Sequence, residues 1–129
     1  MRVEDVDERD SCWERHQSRF RVYFFRGRPL GAWVSTHDVT DATFAQTMAW
    51  AEETVGADLY AIALVSSDDE GRRGLVWLHG LDVNDNHEPF GLDPEPEPAA
   101  RLRREMLRHR RERLRRERQR SAGLADPPE

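Results

Sequence analysis

A chain of 129 residues has room for one domain and a tail, and a compact unit of about 70–100 residues builds only a modest hydrophobic core. All 20 basic residues are arginine, the single cysteine Cys12 excludes an internal disulfide within these residues, and with no charged-then-apolar pattern at the start and no long apolar run, neither export nor a membrane span is expected. The expectation is a cytoplasmic protein that does not span a membrane. The net charge of −5 conceals a division: residues 99–121 hold eleven arginines against three glutamates (+8), and residues 1–98 hold nine arginines against twenty acids (−11).

Residues 1–18 are densely charged without periodicity and read as a mobile acidic lead-in, with Trp13 as a candidate anchor. A domain is predicted over 19–86. FRVYFF sets Phe20, Val22 and Phe24 on one face of a strand and Tyr23 and Phe25 on the other. RGRPLG supplies a turn, and AWVS reads as the hairpin mate. A helix follows, capped by Thr40 or Asp41, with Phe44, Met48, Ala51 and Val55 on one stripe and Gly56 at its end.

LYAIALV is apolar on both faces, as an interior strand is. LVWLHGL forms a fourth strand, with Val76 and Leu78 on one face and Leu75, Trp77, His79 and Leu81 on the other. The order β-β-α-β-β predicts an α+β fold: a four-stranded, mainly antiparallel sheet with one packed helix, plus a C-terminal arginine-rich helix. One helix shields one face only. The lead-in, the C-terminal helix or a second molecule must cover the remaining aromatics.

Residues 87–98 are a proline- and acid-rich linker, 99–121 an arginine-rich helix, and 122–129 a disordered tail. Four i,i+4 pairs are expected along that helix: Arg101 with Glu105, Arg108 with Glu112, Glu112 with Arg116, and Arg113 with Glu117. Leu102 and Met106 lie about a quarter-turn from Leu107 and Leu114, so no coiled-coil seam is sustained.

The segment Phe20 to Asp82 is similar to small uncharacterised proteins of high-GC actinobacteria, the points of likeness being FRVYFF, AWAEETVG and GLVWLHGLD. That resemblance implies no activity. Residues 82–90, DVNDNHEPF, resemble the calcium-binding linker of cadherin repeats, and Asp82, Asn84 and Asn86 match the first three ligand positions of an EF-hand. His87 replaces the glycine of the EF-hand turn, Asp93 stands in place of the bidentate Glu, and the acidic motifs of adjoining cadherin repeats are missing. An Asn/Asp-rich turn without a metal is the reading.

In Ser35-Thr36-His37-Asp38, alternation keeps Asp38 from orienting His37, and Asp38 is assigned to turn or cap chemistry before the helix. His79 reads as a structural histidine. No catalytic residue, cofactor, metal or small-molecule substrate is assigned. Trp50 lies roughly 120° from the apolar stripe of its helix and is a candidate contact residue. With Arg101, Arg104, Arg108, Arg111, Arg115 and Arg118 it makes up the predicted partner-binding set. The expectation is a non-enzymatic interaction or regulatory protein that presents the arginine helix to a protein partner or to itself. The rival is a nucleic-acid-binding accessory protein, handicapped by the acidic body.

Overall fold

The computed structural model describes residues 1–27, 33–84 and 97–124. Four strands form one antiparallel sheet: β1 (Phe20–Arg26), β2 (Trp33–Val39), β3 (Leu59–Ser67) and β4 (Arg73–His79), in the spatial order β2-β1-β3-β4. Helix α1 (Phe44–Val55) links β2 to β3, and helix α2 (Glu97–Leu124) closes the described chain. A short 3-10 turn, Glu8–Asp10, sits in the lead-in.

The alternation in β1 works as expected. Phe20, Val22 and Phe24 join Tyr60, Ile62, Ala51 and Val55 in a core beneath α1. On the reverse face Phe25 packs with Leu59, Ala61, Leu81 and Met106, with Tyr23 and Trp77 at its margin. Met106 belongs to α2, so the C-terminal helix covers one end of the second face, while Val34, opposite Phe25 on that face, stays 49% exposed. Trp13, 71% exposed, does not cover that face.

Three local expectations are corrected. The N-cap of α1 is Thr43: its Oγ1 accepts the Gln46 N–H at 3.1 Å, while Gln46 Oε1 accepts the Thr43 N–H at 2.9 Å. This reciprocal capping box places the helix start beyond Thr40 and Asp41. Strand β2 continues through Asp38, which stands opposite Arg21; its carboxylate accepts from Arg21 Nε at 2.7 Å and from Arg19 at 3.2 Å. Asp38 therefore pins β1 to β2, and its pKa is held below the ordinary carboxylate value chiefly by Arg21. Finally, Ile62 faces His79 and Ala63 faces Trp77, so the ladder contains a bulge. One extra residue in β4 sends His79 to the α1 side and leaves Trp77 beside Tyr23 on the other.

Helix α2 crosses the end of the sheet where β3 begins and β4 finishes. Gly80 makes that approach possible: it has φ 69°, and a Cβ there would lie 2.7 Å from Met106 Sδ. The Leu81 N–H donates to the same sulfur at 3.4 Å.

Candidate functional site

The inner side of α2 is held by groups of unlike kinds. Met106 is 2% and Arg113 6% exposed. Arg113 Nε donates to the Gly56 carbonyl at 3.2 Å and Nη2 to the Asp58 carbonyl at 2.8 Å. The Gly56 carbonyl is at the C-cap of α1, where the helix dipole is negative, and Asp58 immediately precedes β3, so the guanidinium caps α1 and fastens α2 to the α1–β3 turn. Arg113 also lies 5.7 Å from the centre of the Tyr60 ring.

Beside Arg113 three rings stack in a row: Tyr60 on His79 at 4.6 Å, and His79 on His109 of α2 at 5.2 Å. The Tyr60 hydroxyl donates to Glu52 Oε1 at 3.2 Å. Burial, aided by Glu52, pushes the Tyr60 pKa above its ordinary value. Burial is also the main force that lowers the His79 pKa from 6.5 to about 4, reinforced by His109. His79 is thus a neutral packing group at pH 7. His37, on β2, stands three strand spacings away, about 14 Å, and packs against Phe24 and Trp50.

On a helical wheel Arg101, Arg104, Arg108, Arg111, Arg115 and Arg118 fall within about 100° of arc, opposite Met106 and Arg113, and the stripe runs for roughly 26 Å. All six are exposed. Arg104 is bonded to Glu97 at 2.8 Å; the other five have no ion-pair partner among the described residues. None of the four expected i,i+4 pairs is formed within 4.0 Å, and Arg113 has turned inward to backbone carbonyls instead. Helix α2 is therefore not a free rod on a tether. It is docked, and docking leaves its arginine stripe facing outward.

Trp50 does not share that surface. It is 38% exposed, with its ring edge-on to Phe24 at 5.5 Å and to His37 at 5.9 Å, and so leans toward β2. Helix α2 lies beyond the opposite flank of α1, against Tyr60 and His79. Between the two helices runs a groove bordered by Glu52, Glu53, Glu117, Arg113, Arg116 and Arg120, in which three carboxylates balance three guanidiniums.

The turn after β4 begins as an Asx turn, with Asp82 Oδ1 accepting the Asn84 N–H at 2.9 Å; residues 85–96, which hold the rest of the DVNDNHEPF segment, lie outside the described residues. Among the described residues no helix is long and apolar enough to cross a membrane. Comparison with protein-family models, with curated proteins and with solved structures finds no match to this chain.

Proposed function

We propose that this chain is a non-enzymatic interaction protein whose outward stripe on α2 docks against an acidic protein surface. The observation behind this reading is the row of five exposed guanidiniums without a carboxylate partner among the described residues, presented on a helix fixed by its opposite face. The docked helix holds the backbone of this row in place before binding, which removes the backbone part of the ordering cost, and the guanidiniums match a carboxylate-bearing surface by forked hydrogen bonds.

A nucleic acid is the second reading, and one feature of the geometry favours it. The charge count sets a body of −11 against any polyanion. The stripe, however, faces solvent on the side of α2 away from that body, so a bound polyanion is separated from most of the body's carboxylates by electrolyte that screens beyond a Debye length of ~8 Å. Screening thus weakens the handicap.

Labelled poly-glutamate and a labelled duplex DNA, titrated separately against the native chain over a salt series, decide between these. Docking to acidic protein requires poly-glutamate binding that weakens at least about tenfold in Arg108→Ser/Arg111→Ser/Arg115→Ser. Tighter duplex binding with a steep salt slope transfers the site to the second reading. Binding of neither at low salt rejects both. Sedimentation of the same two proteins shows whether the acidic surface belongs to a second copy.

A further inference from the structure

A second cationic site lies away from α2, and the argument for it does not depend on the stripe. Within residues 1–84 every described arginine except two is within 4.0 Å of a carboxylate: Arg2 with Glu4, Arg9 with Asp7, Arg19 and Arg21 with Asp38, Arg26 with Asp58, and Arg72 with Asp68 and Glu70. In so acidic a body, pairing is the expected state of an arginine. The exceptions are Arg15 and Arg73, and both line the same cleft.

This cleft runs between the end of the lead-in and the adjoining ends of β3 and β4, with a volume near 550 Å³, inside the ~300–1,000 Å³ range of small-molecule sites. At its inner end the Val65 N–H donates to the Arg19 carbonyl at 2.9 Å, which carries the β1–β3 ladder one residue past Phe20 and fixes where the lead-in joins the sheet. Trp13 forms one wall. Its indole is 71% exposed and carries the Arg15 guanidinium 5.1 Å from its centre. Ser18, Ser66 and Ser67 contribute hydroxyls whose hydrogen-bonding capacity no described partner takes up. Glu14 is the one carboxylate in the lining.

We infer that this cleft binds a nucleoside monophosphate, with the phosphate held by Arg15, Arg73 and the serine hydroxyls and the base stacked on Trp13. Two unpaired guanidiniums match the charge of a phosphomonoester, about −1.5 to −2 at pH 7. Arginine is suited to forked recognition of phosphate oxygens. An exposed indole offers a stacking platform that tolerates any base. The balanced groove between α1 and α2 offers no such excess of positive charge.

Calorimetric titration of the full chain with AMP, adenosine and inorganic phosphate tests the assignment. AMP is expected to bind with a Kd of about 0.1–1 mM, at least about tenfold tighter than either fragment. Arg15→Gln/Arg73→Gln and, separately, Trp13→Ala are each expected to weaken AMP about tenfold or more. Arg111→Ser/Arg115→Ser, which alters only the α2 stripe, leaves AMP binding unchanged. The proposal is overturned by AMP binding no tighter than phosphate, by AMP affinity indifferent to Arg15 and Arg73 in variants with native thermal unfolding, or by no AMP binding up to about 5 mM.

Discussion

His79 shows how one residue's surroundings translate into pH dependence. Its neutral ring is stacked between Tyr60 and His109, with Arg113 adding to the forces that disfavour its charge and Glu52 and Glu105 opposing them. The unfolded chain takes up a proton at this side chain below about pH 6.5, whereas the folded chain resists until about pH 4. Stability from this group is therefore complete above the higher value and is lost as pH falls through the interval, with a slope of up to about 1.4 kcal/mol per pH unit. Urea midpoints measured from pH 7 to pH 4 are expected to show this decline, and His79→Gln is expected to flatten it. The pair formed by Asp38 with Arg21 weakens only under more acid conditions, since the pKa of Asp38 lies below 3.8. A decline unchanged by His79→Gln places its origin elsewhere.

At the scale of elements, the telling contact joins two helices through one side chain. Arg113 contributes two charge-assisted hydrogen bonds to the α1 C-cap and the turn into β3, and removing it leaves the Gly56 and Asp58 carbonyls without their donor. Arg113→Ala is expected to cost about 2–3 kcal/mol in urea unfolding, while Arg111→Ala on the outward stripe stays within about 0.5 kcal/mol of the native chain. Similar values for the two would mean that the inner and outer faces of α2 are not distinct. The sequence pattern hides this distinction, because the eleven arginines of residues 99–121 look alike in a charge count. Only the phase of Met106 and Arg113 separates those that pack from those that face outward. The same limit explains β4: two-residue alternation places Trp77 and His79 together, and the bulge that parts them leaves no mark in the residue types.

For the whole molecule, α2 is part of the folded unit. Phe25, Leu59, Ala61 and Leu81 form one face of the sheet core, and Met106 closes it. A chain ending at residue 96 is expected to lose at least about 3 kcal/mol, since Met106 and the flanking Leu102 and Leu107 withdraw together. In the full chain, circular dichroism and tryptophan fluorescence are expected to report one coincident unfolding transition. Equal stability of the shortened chain would show that the sheet holds without its second cover. For this reason the role of the stripe is tested by surface substitution, because deleting α2 would remove the fold along with the arginines.

Local order was settled by the sequence itself. The alternation of Phe20 to Phe25, the doubly apolar β3 and the Phe44–Val55 stripe determine β1, β3 and α1, because each element must bury the face its spacing creates. The separation of an acidic body from a basic helix was equally plain in the residue counts. Tertiary structure alone decided that α2 covers one end of the second face of the sheet, that Trp50 and the stripe lie on different flanks, and that Arg15 and Arg73 line one cleft. These depend on contacts between residues as distant as Gly56 and Arg113. Periodicity governs which way a side chain points from its own element, and carries no information about what stands opposite.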